Sequence, residues 1–260
     1  MSFWELLTGF LAGMVQGAAE WLPISSKTLL IIIFLNLGLP PGQSYLLGLL
    51  LNGATSLAAI TYFRREILGM LRLEEDYRGI LYFIVASIPI TGVVAVPLSM
   101  LTLESIGSGR EMMVLMGVLL IFTGLMAWRS RSLGRGMGRV PSIRDGVLVG
   151  AAQGFSSLPG ISRSGVTLLT LLSLGYNPRQ ALMLSFLMGI PATIGGSIYS
   201  LMVSFPSSPL DMNIVIPGFI AAILTSIPTI HTLISMASKI HAHIFTWILA
   251  ALTLATAMLV

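Results

Sequence analysis

Apolar runs separated by short charged or proline-bearing turns fill almost all of this 260-residue chain. In the first half they cover roughly 3–21, 25–38, 44–63, 80–101 and 111–129. In the second half they cover 143–158, 163–175, 180–203, 212–236 and 241–260. About 20 apolar residues in a helix cross a hydrocarbon core of about 30 Å, so most of these runs predict spanning helices. The first two of each half are shorter. A polar turn joins them: Leu22-Pro23-Ile24-Ser25-Ser26-Lys27 in one half, Pro159-Gly160-Ile161-Ser162-Arg163-Ser164 in the other. At about 1.5 Å per residue, 25–38 is too short to cross. Two half-length helices with a broken tip predict a re-entrant hairpin, which enters and leaves on one side.

The halves repeat each other. Shifted by 137 residues, Gly9, Gly13 and Gly17 fall on Gly146, Gly150 and Gly154. Gln16 falls on Gln153, Ile24 on Ile161 and Ser25 on Ser162. Gly38, Pro41 and Gln43 fall on Gly175, Pro178 and Gln180. So many matches of backbone-special and polar types, in order and without a gap, indicate a duplication. One hairpin and three spans per half make an odd number of crossings, so the second half is predicted to be an inverted copy of the first. The expected fold is an all-α integral membrane domain. It has six full transmembrane helices and two re-entrant hairpins, with 1–130 as the first repeat and 131–260 as the second.

Composition agrees with a lipid environment. The chain is 55% hydrophobic and 9% charged, against about a quarter charged in soluble domains. Basic residues gather at Arg64–Gly79 (Arg64, Arg65, Arg72, Arg78), at Arg129–Arg144 (Arg129, Arg131, Arg135, Arg139, Arg144) and at Lys239. The expected topology puts these loops on one face, which is then cytoplasmic. Both termini would lie outside a plasma membrane, and the two hairpins would enter from opposite faces and meet near mid-membrane. Topology accounts for the arginines, so a nucleic-acid surface is not expected. No cysteine is present, and His231, His241 and His243 show no metal-ligand spacing. Phe3–Ala19 contains Glu5 and lacks a basic start, unlike a cleaved signal. The glycine ladders read as faces for close helix packing, and the methionines as core or lipid-facing filler.

Few charges fall within apolar runs: Glu20, Lys27 and Arg163, with Glu5 near an end. Such residues usually line a cavity, pair together or bind substrate. The plainer reading is an ion pair of Glu20 with Lys27 or Arg163 that only ties the hairpins. Clustering favours a site. Ser25-Ser26 and Ser162 stand at the starts of two helices, where free N–H groups and the positive dipole end favour an anion. Arginine's planar fork suits phosphate, and Gly160 and Gly165 would let backbone approach it. A phosphate or diphosphate on a lipid tail is the expected ligand.

The stretch Gly13-Met-Val-Gln16-Gly-Ala-Ala-Glu20-Trp-Leu-Pro23-Ile-Ser25-Ser26 resembles the first signature of the undecaprenyl-pyrophosphate phosphatases of the bacitracin-resistance type. Gly150-Ala-Ala-Gln153-Gly-Phe-Ser-Ser-Leu-Pro159-Gly160-Ile-Ser162-Arg163-Ser164-Gly165 resembles the second. Asn52-Gly53-Ala-Thr, Tyr62-Phe63-Arg64 and Gly189-Ile190-Pro191 extend the resemblance over nearly the whole chain. It implies a homodimeric membrane phosphatase that converts a polyprenyl diphosphate to the monophosphate and recycles a lipid carrier of envelope glycans. Carried over by position, Ser26 matches the nucleophile, Arg163 the diphosphate-binding arginine and Glu20 the second of an acidic pair. Gln16 stands where many members have the first. Gln16, Ser25, Thr28, Gln153, Gly160, Ser162, Ser164 and Gly165 are the candidate substrate-binding residues. The chain departs from the bacterial pattern at Leu29, where a histidine is usual. Two replacements for that base are open: Lys27, desolvated beside Arg163, or Glu20, directly or through a bound Mg²⁺ or Ca²⁺. Inverted repeats, broken helices and a mid-membrane anion site also fit an alternating-access carrier of polyprenyl phosphate with weak or no hydrolysis.

Overall fold

The computed structural model describes residues 3–105, 109–130, 138–204 and 211–236, with 247, 248, 250, 251, 254 and 255 near the end. Regular structure among them is entirely helical: α1 (Phe3–Ala19), α2 (Ser26–Asn36), α3 (Pro41–Tyr62), α4 (Arg64–Leu71), α5 (Glu75–Ser105), α6 (Gly109–Ser130), α7 (Ile143–Gly154), α8 (Arg163–Ser173), α9 (Pro178–Ser204) and α10 (Met212–Ser235). A 3-10 turn at Phe155–Ser157 follows α7. The punctuation is chemical. Gly38 and Gly175 take positive φ just past α2 and α8, where a left-handed residue closes a helix. Pro41 and Pro178 then open α3 and α9, in the first turn, where an N–H would have no partner within the helix.

Among the described residues, four helices are long and apolar enough to cross a membrane: Pro41–Tyr62, Glu75–Glu104, Pro178–Val203 and Met212–Ser235. Of the other two expected spans, 111–129 is helical within α6, whose apolar stretch is the shorter Val114–Met126. The region 241–260 lies largely outside the described residues, as do Lys239, His241, His243, Arg131 and Arg135. The expected loop at Arg64–Gly79 is corrected: it holds α4 and the first turn of α5. Its charge density hid a one-sided helix that turns Gly69 and Met70 inward while Arg64 and Arg65 face out.

The glycine ladders set the packing. α1 lies along α10, and α7 along α5. A methyl group on Gly9 or Gly13 would overlap the backbone of Ile214 or Gly218, and one on Gly146 or Gly150 that of Phe83 or Ser87. Each hairpin's first helix is therefore seated on a long helix from the other half of the chain, with α3 and α9 in contact between them. Outward positions are apolar (Val85 and Val93 on α5; Ile216, Ile220 and Leu224 on α10), as lipid contact requires. Polar side chains turn inward: Ser56, Thr91, Gln153, Ser185 and Ser200 are buried.

At the start of α7, Asp145 pairs with Arg139 at 3.1 Å and accepts from the Tyr176 hydroxyl at 2.7 Å, fastening the α8–α9 turn. Burial, then the hydrogen bond to this carboxylate, push the Tyr176 phenol well above its ordinary range.

Candidate active site

The two hairpin tips meet in one cavity of about 250 Å³. Its polar end is built from Glu20, Ser25, Ser26 and Lys27 of the first tip and Gln153, Ser156, Ser157, Ser162 and Arg163 of the second. Asn52 of α3 and Thr193 of α9 join them. Its walls are apolar or small: Ile88, Gly92, Ala95 and Val96 from α5, and Pro191, Ala192, Gly195 and Gly196 from α9.

The tips are capped differently. Ser162 has extended backbone, and its hydroxyl accepts from the Gly165 N–H at 3.2 Å, an ordinary N-cap. Ser25 instead sits at φ 63° and ψ 78°, a left-handed state that costs a non-glycine residue about 1–3 kcal/mol. Its hydroxyl bonds that of Thr28 at 3.0 Å and caps no backbone N–H. The first N–H groups of α2 are therefore not capped by a side chain, and the helix start faces the cavity with its dipole.

One carboxylate organises the centre. Glu20 Oε2 accepts from Ser26 Oγ at 2.5 Å and from Gln16 Nε2 at 3.0 Å. Glu20 Oε1 accepts from Arg163 Nη2 at 2.9 Å. Gln16 also donates to Asn52 Oδ1 at 2.5 Å, which fixes its amide orientation. Arg163 Nη1 donates to the Ser185 carbonyl at 3.0 Å, and the guanidinium lies over Trp21, 5.3 Å from the ring centroid. A guanidinium carries five N–H groups. Those two bonds leave the others, including a buried Nε with no partner among the described residues. The Glu20–Arg163 pair crosses between the hairpins and is buried on both sides. Breaking such a pair by removing one partner costs about 3–5 kcal/mol.

Lys27 is placed elsewhere. Its ammonium donates to the Ser156 carbonyl across the cavity, while the Ser26 hydroxyl is engaged by Glu20. Ser25, Gln153 and Ser162 line the cavity as Ser26 and Arg163 do; Gln16, Thr28, Gly160, Ser164 and Gly165 stand behind its wall. Gln16 holds Glu20, and Thr28 holds Ser25. Ser164 donates to the Leu22 carbonyl at 2.8 Å, tying the tips together. Gly160 backs onto Met116 and Leu119 of α6, and Gly165 onto Ser162 and Pro23. The α8 helix presents Arg163 to the cavity, whereas Ser164 and Gly165, further round the helix, turn away from it.

This constellation can be compared with known proteins. Residues 9–255 match the family described as bacitracin resistance protein BacA. The chain belongs to that family. Among relatives, an undecaprenyl-diphosphatase of Saccharolobus islandicus (strain M.16.4 / Kamchatka #3) is 41% identical over 200 residues, 73% of this chain and 71% of the relative. One from Methanothrix thermoacetophila is 37% identical over 205 residues, 78% of each. One from Pyrobaculum islandicum is 35% identical over 260 residues, 96% of each. Within the BacA family frame, four supporting residues escaped the reading of buried charges. They are Trp21 under Arg163, Asn52 behind Gln16, Ser185 as acceptor for Arg163, and Gly189, whose backbone touches the guanidinium. Asn52 and Gly189 were visible only as parts of matching motifs; nothing in their own chemistry marked them.

Proposed function

We propose that this protein is a membrane phosphatase that hydrolyses a polyprenyl diphosphate, like undecaprenyl diphosphate, to the monophosphate and phosphate. One observation carries the reading. A serine hydroxyl is bonded at 2.5 Å to a buried carboxylate whose other oxygen is held by an arginine from the opposite hairpin. The relatives, undecaprenyl-diphosphatases, agree with it and favour hydrolysis over carriage.

Ser26 Oγ attacks the terminal phosphorus, and its proton passes to Glu20 Oε2. Arg163 and the uncapped start of α2 receive the negative oxygens. Glu20 hands the proton to the departing lipid phosphate. The ionised carboxylate then takes a proton from water, which attacks the phosphoserine, and the Ser26 oxygen leaves with that proton. Glu20 fills the role that Leu29 cannot. The apolar walls from α5 and α9 suit a prenyl chain. Mg²⁺ or Ca²⁺ belongs to this proposal only as a partner of the substrate. Glu20 faces three donors, and the described residues hold no cluster of three or more acidic or histidine ligands, so the side chains fit a resident metal poorly.

The proposal extends to topology. Residues 1–130 and 131–260 are read as an inverted repeat with six spans and two hairpins. Crossed seating of α1 on α10 and α7 on α5 supports this. So does the 2.6 Å hydrogen bond between Ser56 and Thr193, equivalent positions in the two repeats that meet as residues on a pseudo-twofold axis would. Loop arginines support termini outside a plasma membrane, and a homodimer rests on family resemblance alone. The test is phosphate release from farnesyl diphosphate by purified protein. Ser26→Ala and Arg163→Ala are expected to abolish it, and Glu20→Gln to lower it about 10²–10⁴-fold. Release by Ser26→Ala at the parent rate would sink the assignment.

A further inference from the structure

The charges of the cavity do not balance. Glu20 and Arg163 neutralise each other at 2.9 Å. Lys27 lines the same cavity, is buried, and has no carboxylate within 4 Å among the described residues. One proton of its ammonium goes to the Ser156 carbonyl, and an ammonium has three. Next to that carbonyl the Ser157 hydroxyl, buried and lining the cavity, has no hydrogen-bond partner among the described residues. Ser157 occupies in the second repeat the place of Glu20 in the first. The second tip therefore presents a neutral donor where the first presents a negative charge. A lone cation and an unfilled hydroxyl inside a membrane protein are costly unless an anion completes them.

We propose that Lys27 and Ser157 form a second phosphate seat, which holds the lipid-bearing phosphate while the terminal phosphate lies between Ser26 and Arg163. The inference rests on the phosphatase reading above. Arg163 offsets Glu20 for the terminal phosphate, and Lys27 attracts the second one, so the diphosphate spans the two seats. The seat makes two phosphates bind better than one and retains the monophosphate product. Lys27 meets non-bridging oxygens that are charged before the reaction, and the proton from Glu20 takes up the charge that would build on the departing phosphate, so Lys27 contributes mainly to binding rather than to the chemical step.

Steady-state kinetics with farnesyl diphosphate test this. Lys27→Met is expected to raise KM about tenfold, with kcat within about threefold, and to weaken inhibition by farnesyl monophosphate by the same factor. Lys27→Arg should restore most of both, and Ser157→Ala should shift both in the same direction by a smaller factor. Unchanged KM and unchanged monophosphate inhibition would overturn the seat. A collapse of kcat with an altered pH profile and unchanged KM would overturn it in favour of a lysine base. If the parent protein releases no phosphate, the phosphatase reading fails, and direct binding of farnesyl monophosphate decides the seat. About tenfold tighter binding by the parent than by Lys27→Met supports it, and equal binding refutes it.

Discussion

Gly189→Ala would test the clamp from a position that has no chemistry of its own. The Arg163 guanidinium is enclosed by Glu20 at 2.9 Å, the Ser185 carbonyl at 3.0 Å, the Trp21 ring and the backbone of α9 at Gly189. A β-carbon at 189 would overlap Nη1 and Cζ. The α9 backbone is packed against α3 and α8, so the guanidinium is the part that must retreat, by on the order of 1 Å. A displacement of that size in a positioned group costs about 10²-fold in rate. Phosphate release from farnesyl diphosphate should therefore fall about 10²-fold, with the protein still folded in detergent. Gly48→Ala is the control: its added carbon would meet Leu30 at 3.8 Å, an ordinary contact. That variant should keep its activity, with helix propensity improved by up to about 1 kcal/mol. Activity within about threefold of the parent for Gly189→Ala alone would refute the clamp geometry.

Two further outcomes follow from the packing and from the Arg139–Asp145–Tyr176 cluster. Gly150→Ala drives a methyl into the Ser87 backbone and should destabilise by about 1–3 kcal/mol; thermal unfolding in detergent indistinguishable from the parent would mean that α7 and α5 are not so close. Tyr176 keeps its proton in the folded state above its ordinary value of 10.0 while the unfolded chain loses it. The contribution of Tyr176 to stability should be constant below about pH 10 and be lost as pH rises beyond it, and Tyr176→Phe should remove that part of the fall. An equal fall in the phenylalanine variant assigns the titration to other groups.

Much of this protein was written in its order of residues. Apolar length and proline–glycine punctuation marked the helices and the two short pairs with broken tips, and the glycine ladders marked packing faces, because these depend on local backbone preference and on burial. The scarcity of charge inside apolar runs singled out Glu20, Lys27 and Arg163, since each is costly there without a purpose. Tertiary structure decided which of them meet. Lys27 follows Ser26 directly, yet successive residues on a helix point about 100° apart, so its ammonium reaches Ser156 while the serine turns to Glu20. Arg163 reaches Glu20 only because α7 and α1 are each seated on a helix from the other half, which brings the two tips together. What Asn52, Trp21, Ser185 and Gly189 do became legible only there. Their roles consist of contacts across the fold, and no local pattern of charge or hydropathy records a contact between distant segments.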